Sequence, residues 1–578
     1  MSQGAGVDRR APRAVLKFGS SVLRSAADLP WAVQEIYAHV RRGERVVAVV
    51  SAFAGRTDAL YATARAHGDC ERATAALVAG GELESAALLT LALDRAGVPA
   101  RLLEPRAVAL ATRGTVLDSE PADVDATPFE AAFEAGAVVV FPGFCGVGED
   151  GATTLLGRGG SDLTALFLAE RLDARCVLVK DVDGLYERDP ALPGPRPRRY
   201  ARATWDEALR VGGKVVQPKA LRAARLHGRT LEIRAVGASG HTRVGGSASL
   251  LEASATPRPL RVALLGLGTV GGGVYEQLRS RPDLFETIGI VVRDPARHAA
   301  PDVPAHLLET SAWPVLAREP DVVVEALGGV APAAEWLQAA LLAGCRVVTA
   351  NKAALAAHYE AFAPFLAGAA PRLRAAAAVG GAVPMLETLA RVAREAPVVA
   401  LRGVVNGTCN YVLDRLAAGA TLEAAIAEAQ AAGYAEPDPS FDLSGRDAAH
   451  KLALLLRTLG GGAARADVLA GLAVAGIDAR TPSLERRARA AGLRLRLVAS
   501  WDGSGARVAL ETLAADDWLA GASAEQNRLE IRRADGRVER LHGRGAGRVP
   551  TATAVIADLL DVAAERQREA GEAVASAA

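Results

Sequence analysis

The chain has 578 residues, half of them hydrophobic, and a formal net charge of +1. This length exceeds what one hydrophobic core usually serves, so we expect about two to four domains. Because acidic and basic residues nearly balance and no basic block is present, the sequence argues against nucleic acid or a charged membrane surface as a partner. It favours small-molecule substrates.

Cysteine usage and the apolar runs bear on the cellular compartment. The five cysteines are scattered, without a C-x-x-C pair, which predicts free thiols in a reducing cytosol rather than disulfides or a zinc site. The first residues, MSQGAGVDRRAPR, have no apolar run behind their charges, and stretches such as VVAVVSAFAG are too short to cross a bilayer. We therefore expect a soluble cytoplasmic protein.

The sequence divides into two halves. Each half alternates short Val/Leu-rich runs with longer Ala/Leu/Glu/Arg-rich ones, which predicts α/β domains with largely parallel sheets. A small, polar segment flanked by proline predicts a linker over residues 246–258. The first domain then spans residues 1–245, and the second half begins at residue 259 with a new strand, a glycine turn and a helix.

Two strand ends in the first half carry residues suited to binding an anion. In KFGSSV an apolar strand ends at Lys17, and the chain turns through Gly19 and Ser20. Backbone N–H groups of such a turn can surround a phosphate while the ammonium group neutralises it. A second strand, VVAVVSAFAGRTD, leads to Thr57, and the carboxyl ends of neighbouring parallel strands share one crevice. Each motif alone also fits an ordinary strand and turn.

The stretch GRGGSDLTALFLAERL is the most specific motif of this half. Its glycines allow a ligand to approach closely, Arg158 can bind a carboxylate with two hydrogen bonds, and Asp162 opens a helix whose N-terminus favours anions. A later strand runs into the acidic turn DVDGLY, with Asp181 and Tyr186, which suits a ribose or an adenine edge. Taken singly, these motifs are also consistent with a helix cap and a plain turn.

The order of these motifs resembles the aspartate kinases, which have the three-layer amino-acid kinase fold and phosphorylate aspartate with ATP and Mg²⁺. The resemblance covers residues 1–245 and includes G-E-x-x-S, with Glu82, and VGGKVVQPKAL, with Lys214. It implies catalytic roles for Lys17 and Asp162. Substrate-binding roles are implied for Thr57, Glu82 and Arg158. The implied nucleotide-binding residues are Lys17, Gly19, Ser20, Asp181, Tyr186 and Lys214.

The KFGSSV loop departs from this pattern, because aspartate kinases usually read K-F-G-G-T-S-V. A loop that is one residue shorter looks more like the glutamate 5-kinases, which share the fold, whereas GRGGSD favours aspartate. Three alternatives therefore stay open for this half: an aspartate kinase, a glutamate 5-kinase-like enzyme, and a domain with only a structural role.

The second half opens with a dinucleotide-binding pattern. Gly266, Gly268 and Gly271 form G-x-G-x-x-G between an apolar strand and an amphipathic helix, which favours pyrophosphate binding at the helix N-terminus. The next strand ends near Arg293, which can meet a 2′-phosphate and favours NADPH. The adjacent Asp294 argues the other way, so NADH stays open.

Further along, charged residues gather at strand ends and on one helix. Lys352 follows the strand CRVVTAN, where a nicotinamide and a substrate would meet. Asp447 and Lys451 are four residues apart on a predicted helix, so the carboxylate can orient the ammonium group. Glu436 belongs to the acidic loop AGYAEPDPSFD before that helix, and such a loop can also be merely solvated.

From residue 259 to the end, the motifs resemble the homoserine dehydrogenases, which reduce aspartate 4-semialdehyde to homoserine with a nicotinamide cofactor. The resemblance implies a Rossmann domain over 259–395, an α+β catalytic and dimerisation domain over 396–545, and a C-terminal helix over 546–578 that packs on the nucleotide domain. Lys451 would donate a proton to the carbonyl oxygen and Lys352 would assist at the reacting centre. Glu436 and Asp447 would hold the substrate's amino group or orient Lys451. The cofactor positions would be Gly266, Gly268, Thr269, Val270, Gly271, Arg293, Lys352 and Gly543.

The resemblance also bears on a cation, on assembly and on regulation. Homoserine dehydrogenases bind a monovalent cation such as Na⁺, here through carbonyls of Val379, Gly381 and Val383, but Ala376 replaces the usual glutamate ligand and should weaken the site. A homodimer or higher homo-oligomer is implied. Related fusions carry a regulatory region between their two enzymes. Only a linker stands here, so we expect no threonine feedback through such a domain.

Overall fold

The computed structural model describes residues 11–213, 215–252, 258–298, 300–366, 368, 370–460 and 471–577. The chain forms two compact units. The first comprises the described residues of Met1–Asp94, Pro99–Pro257 and Ala563–Ala578, and the second comprises Arg95–Val98 and Arg258–Val562.

The first unit is built on a sheet with the strand order β13-β10-β12-β11-β9-β1-β2-β6-β3. Its central strands, from β11 to β3, are parallel. Of these, β1, β2, β6 and β9 carry mainly buried apolar side chains, as expected where both faces of a sheet are covered. A smaller sheet has the order β5-β4-β7-β8. The strands are β1 (Arg13–Phe18), β2 (Arg45–Val50), β3 (Ala100–Leu102), β4 (Ala111–Gly114), β5 (Ser119–Asp123), β6 (Val138–Pro142), β7 (Cys145–Val147), β8 (Thr153–Leu155), β9 (Arg175–Lys180), β10 (Arg199–Ala203), β11 (Leu231–Ala235), β12 (Thr242–Val244) and β13 (Leu250–Glu252).

Strand β13 lies inside the segment that the sequence predicts as a linker. It pairs antiparallel with β10, with Leu251 opposite Tyr200. The ordered first unit therefore continues beyond Gly245. The segment looks like a linker in the sequence because short edge strands need few apolar residues.

Helices connect the strands of this sheet. They are α1 (Leu29–Arg41), α2 (Arg56–His67), α3 (Glu71–Ala96), α4 (Thr127–Glu134), α5 (Gly160–Arg171), α6 (Trp205–Val211) and α7 (Pro218–Leu226).

Among the described residues, α3 alone is long and apolar enough to cross a membrane, judged by length and composition only. Charged residues such as Glu82 interrupt the apolar residues of this helix, so it does not stand out as an apolar run in the sequence.

The second unit contains two six-stranded sheets. The first is parallel throughout, in the order β16-β15-β14-β17-β18-β19, and the second has the order β21-β23-β22-β20-β24-β25, in which all pairs are antiparallel except β21 with β23. Their strands are β14 (Leu260–Leu265), β15 (Phe285–Val291), β16 (Leu308–Glu309), β17 (Val322–Glu325), β18 (Arg346–Thr349), β19 (Leu373–Arg374), β20 (Val398–Val404), β21 (Ala473–Val474), β22 (Leu493–Trp501), β23 (Ala506–Ala514), β24 (Gln526–Arg533) and β25 (Val538–Arg544).

One buried apolar cluster continues from the parallel sheet to the antiparallel one and joins the second unit into a single body. The helices of this part of the chain are α8 (Thr269–Ser280), α9 (Ala312–Leu316), α10 (Ala333–Leu342), α11 (Lys352–Ala357), α12 (Tyr359–Leu366), α13 (Met385–Glu395), α14 (Gly407–Ala417), α15 (Leu422–Ala431), α16 (Ser440–Leu443), α17 (Arg446–Thr458), α18 (Thr481–Ala490) and α19 (Arg548–Ala577). Within the second unit, α19 contacts the parallel-sheet part through Arg548 on Glu276 and Asp558 on the backbone N–H of Ala376.

Candidate functional sites

A cleft of about 340 Å³ lies in the first unit, where β1, β2 and β9 end and α5 begins. Lys17, Ser51 and Lys180 line it from the strands, and Asp162 lines it from the first turn of α5. Gly159 precedes this helix with φ of +82°, a backbone conformation that glycine adopts without strain. The cleft therefore has the position expected for ligands of open α/β sheets.

Asp162 lies between two lysine ammonium groups in this cleft. Its Oδ1 is 2.7 Å from Lys17 Nζ and its Oδ2 is 3.3 Å from Lys180 Nζ. All three side chains are buried. Burial alone would raise the pKa of Asp162, but the charges and hydrogen bonds of the two lysines outweigh it and hold the pKa below its ordinary value. Burial and the nearby Lys17 together lower the pKa of Lys180.

Glu82 supplies a second buried carboxyl group to the cleft. It is 3% exposed, and its Oε2 has no hydrogen-bond partner among the described residues. Burial raises the pKa of Glu82 to about 8, against the smaller opposing effects of the Ala52 backbone and of Lys17. A buried carboxyl oxygen without a partner on the wall of a cleft can bind a polar ligand.

The structure brings most of the predicted kinase residues together. Gly19, Ser20 and Thr57 line the same cleft as Lys17, Glu82 and Asp162. Arg158, in contrast, is exposed and lies outside the lining, although its neighbour Gly159 belongs to it.

The nucleotide-side residues are less conclusive. Asp181 is exposed, while Tyr186 is buried and donates a hydrogen bond to Asp183 Oδ1 at 2.6 Å. Lys214 lies outside the described residues. The sequence motifs did not identify Lys180. The feature that could have indicated it is a lysine at the end of the strand RCVLVK, whose central residues are apolar.

In the second unit, the glycine turn after β14 leaves room for a close backbone approach. A Cβ atom at Gly266 would lie 2.8 Å from the Ala326 carbonyl oxygen, and one at Gly271 would lie 2.0 Å from that of Gly266. Gly268 precedes α8, whose first residues are Thr269 and Val270. The turn and the free N–H groups of the helix N-terminus thus fit a pyrophosphate.

A second buried aspartate lies between two lysines in this unit. Asp447 Oδ1 is 2.7 Å from Lys352 Nζ, and Asp447 Oδ2 is 2.8 Å from Lys451 Nζ. Lys352 begins α11, whereas Asp447 and Lys451 face the same side of α17. Burial opposes the charge of Asp447, but the two lysines outweigh it and lower its pKa strongly. Burial likewise opposes the charge of Lys352, but Asp447, Asp442 and Glu436 raise its pKa overall.

Hydrogen bonds from the β20–α14 turn fix this group. Lys451 Nζ donates to the Val405 carbonyl oxygen at 2.6 Å, and Asn406 Nδ2 donates to Asp447 Oδ2 and Asp442 Oδ1, both at 2.8 Å. Asn406 Oδ1 also caps α14 by accepting the Cys409 N–H. Asn406 is therefore a residue of this site that the sequence motifs did not identify.

Glu325, at the end of β17, holds the residues that precede Lys352 in place through hydrogen bonds. Its carboxylate accepts the backbone N–H groups of Leu327 and Gly328 and the side chains of Thr349 and Asn351. Asn351 in turn caps α11 through the Ala354 N–H. Burial raises the pKa of Glu325 despite these bonds.

The remaining predicted residues of this unit lie at its surface or in its backbone. Glu436 and Arg293 are exposed, and Gly543 is within β25. In the cation segment, the Val383 carbonyl oxygen accepts the Met385 N–H at 2.7 Å. The described residues contain no group of three or more His, Cys, Asp or Glu side chains that could hold a metal ion, so the cation site through Val379, Gly381 and Val383 stays a prediction.

Comparisons with known proteins agree with the two units. Residues 384–560 match the family model described as homoserine dehydrogenase, and residues 266–369 match the one described as its NAD-binding domain. The homoserine dehydrogenase of Neisseria gonorrhoeae is 31% identical over 322 residues, which cover 53% of this chain and 73% of that protein. The chain belongs to the homoserine dehydrogenase family.

Other homoserine dehydrogenases are similar to the same part of the chain. That of Mycobacterium bovis is 36% identical, over 54% of this chain and 73% of that protein. A crystal structure of a homoserine dehydrogenase from Thiobacillus denitrificans has 31% identity and a TM-score of 0.48, covering 54% of this chain and 74% of that chain.

Residues 12–235, outside the homoserine dehydrogenase part, match the model described as amino acid kinase family. The expected fold class is therefore confirmed: an amino-acid kinase domain, an NAD-binding Rossmann domain and a homoserine dehydrogenase catalytic domain.

Proposed function

We propose that the chain is a bifunctional enzyme: its second unit reduces aspartate 4-semialdehyde to homoserine with NADPH, and its first unit phosphorylates aspartate with MgATP. The observation that carries the proposal is the buried aspartate between two lysines in each unit. Such a group holds cationic side chains in fixed positions, where they can stabilise developing negative charge or donate a proton.

The residues of the second unit fit a bound dinucleotide, because Gly266 and Gly271 allow the tight turn before α8 and the space beside Gly268 is open for a pyrophosphate. When bound, the nicotinamide supplies the hydride that reduces the carbonyl carbon. Lys451 donates a proton to the carbonyl oxygen, and Asp447 and the Val405 carbonyl hold its ammonium group in place.

Lys352 and Glu436 complete the dehydrogenase proposal. The ammonium group of Lys352 is bound to the other oxygen of Asp447 and adds positive charge where the alkoxide develops. Glu436, exposed in the loop before α16, would bind the substrate's ammonium group. Arg293, exposed after β15, would meet the 2′-phosphate that distinguishes NADPH from NADH.

In the first unit, a carboxylate oxygen of aspartate attacks the γ-phosphorus of ATP, the bond to the bridging oxygen breaks, and ADP leaves with the electron pair. Lys17 and the Gly19–Ser20 turn bind the phosphates, while Thr57 and Glu82 bind the amino acid. Asp181 and Tyr186 belong to the nucleotide side. Asp162 is already neutralised by two lysines, so Mg²⁺ would enter with the ATP phosphates, as it commonly does.

A second candidate for the first unit is phosphorylation of glutamate. The short KFGSSV loop favours it, and the position of Arg158 outside the cleft removes one argument for aspartate. The aspartate proposal is kept because the semialdehyde used by the second unit derives chemically from a phosphorylated aspartate by one reduction.

Two assays on the purified full chain test the proposal. ATP-dependent hydroxamate formation is measured with aspartate and, separately, with glutamate, and oxidation of NADPH and of NADH is measured with aspartate 4-semialdehyde. We expect activity with aspartate and with NADPH. Hydroxamate from glutamate alone would establish the second candidate, and none from either would leave the first unit without a kinase activity.

Assembly, location and regulation complete the proposal. We propose a homodimer or higher homo-oligomer in the cytoplasm, without threonine feedback through a separate regulatory region. All five cysteines are free thiols, which is compatible with a reducing compartment. Inhibition of either activity by threonine below millimolar concentration would contradict the regulatory part.

A further inference from the structure

We propose that Lys180 is a second phosphate-binding lysine of the first unit, acting beside Lys17 on the phosphoryl group that is transferred. This inference rests on the proposed kinase function of the cleft but assigns a residue that neither the motifs nor the family resemblance identified.

The register of the sheet directs both lysines to the same side. Strands β1 and β9 are parallel neighbours, and Lys17 pairs with Leu178. Side chains alternate along a strand, so Lys180, two residues beyond Leu178, points to the face that Lys17 occupies. Both residues lie at the carboxyl ends of their strands and line the same cleft.

The charge balance of the cleft favours an anionic ligand. Lys17 and Lys180 contribute two positive charges, and Asp162 contributes one negative charge between them. Glu82, with its pKa raised to about 8 by burial, is mostly uncharged at neutral pH. Asp58, the remaining charged residue of the lining, is exposed to solvent. The buried part of the cleft therefore carries an excess positive charge, and buried charges act more strongly than charges in water.

The geometry leaves donors of Lys180 for a ligand. Its ammonium group is 3.3 and 3.4 Å from the two Asp162 oxygens, whereas Lys17 Nζ approaches Oδ1 to 2.7 Å. An ammonium group has three N–H donors, so both lysines can bind Asp162 and a phosphoryl oxygen together.

During transfer, the carboxylate oxygen of the amino acid bonds to the γ-phosphorus as the bond to ADP breaks, and the two lysines offset the negative charge of the phosphoryl oxygens. No proton needs to move, because the attacking carboxylate is already ionised.

Substituting Lys180 by Met tests the assignment in the full chain. The variant keeps the Lys17–Asp162 pair and a side chain of similar length. We expect the turnover of the kinase to fall about 100-fold. We also expect MgATP affinity to fall about tenfold while MgADP affinity stays unchanged, because MgADP lacks the group that Lys180 contacts. Lys180→Arg should restore part of both.

The controls separate this role from a structural one. Lys219→Met removes another ion-paired lysine of the first unit, bound to Asp118 at 2.7 Å outside the cleft, and should leave nucleotide binding unchanged. Dehydrogenase activity of each variant reports on the second unit. If Lys180→Met fails to fold, Lys180→Gln provides the same comparison of MgATP with MgADP.

The outcomes distinguish the inference from the proposed function. A wild-type chain that binds MgATP more tightly than MgADP but phosphorylates neither aspartate nor glutamate contradicts the proposed function, and the affinity ratio still tests Lys180. Unchanged turnover in Lys180→Met, or equal loss of MgATP and MgADP affinity, would overturn the assignment of Lys180.

Discussion

The two units contain the same arrangement of charges, to which we assign different chemistry. Each places a buried aspartate between two lysines, Asp162 in the first unit and Asp447 in the second. In the first unit both lysines are about nine-tenths buried and Asp162 has ion pairs only to them among its described contacts, so the buried part of the cleft keeps an excess positive charge. This favours an anionic phosphoryl group.

Around Asp447 the surroundings differ. Asn406 donates a hydrogen bond to it, Lys451 also donates to the Val405 carbonyl oxygen, and Lys352 is one-third exposed. These bonds fix one ammonium group at a defined point, which suits proton donation to a single carbonyl oxygen. The comparison teaches that the neighbours of the aspartate, rather than the charged group itself, decide which reaction the site supports.

Removing the central carboxylate should have the largest effect on stability. Asp447→Asn leaves two lysines facing each other in a buried site, so we expect the free energy of unfolding of the second unit to fall by about 3–5 kcal/mol. Dehydrogenase activity should be lost as well. Urea unfolding followed by tryptophan fluorescence measures the effect, and Asp438→Asn, an exposed carboxylate in the same region, should change little. Equal unfolding midpoints in the two variants would contradict the stabilising role of Asp447.

Glu82 should make the stability of the first unit depend on pH in the opposite sense to the two aspartates. Its pKa in the folded chain, about 8, lies above its ordinary value of 4.5, so the folded state holds a proton that the unfolded state releases. This contribution is complete below pH 4.5 and declines as the pH rises through 8. Asp162 and Asp447, with lowered pKa values, stabilise above their ordinary pKa of 3.8 and lose that effect in acid.

Hydrogen exchange of peptides from α3 tests this expectation at pH 5 and pH 8, after correction for the intrinsic exchange rate. The wild-type chain should be less protected at pH 8, and Glu82→Gln should remove most of the difference. If the pH dependence persists in Glu82→Gln, a titrating group other than Glu82 causes it.

The smallest expected effect concerns the choice of cofactor in the second unit. Arg293→Ser removes an exposed guanidinium group after β15, and we expect the KM for NADPH to rise about tenfold while that for NADH changes little. Steady-state kinetics with both cofactors measures this. An equal change in both KM values would indicate that Arg293 does not contact the 2′-phosphate.

Sequence patterns predicted the fold class because alternating apolar runs and glycine turns depend on residues that are close together in the sequence. The G-x-G-x-x-G turn and the Asp447–Lys451 pair depend on spacing within one element, and the structure places both as expected. Lys180 and Asn406 were missed as site residues because their roles depend on contacts with distant segments. Arg158 was predicted to bind aspartate, but a motif does not show which of its side chains point inward, and this one lies outside the cleft.

Reciprocal inactivation tests the central claim most directly. Lys17→Met and Lys451→Met are each prepared in the full chain, and aspartate hydroxamate formation and NADPH oxidation are measured on both. We expect Lys17→Met to abolish only the kinase reaction and Lys451→Met to lower only the dehydrogenase reaction, by about 1,000-fold. Near-normal dehydrogenase turnover in Lys451→Met, or loss of both activities in either variant with its fold intact, would contradict the account of two sites built on the same charge arrangement.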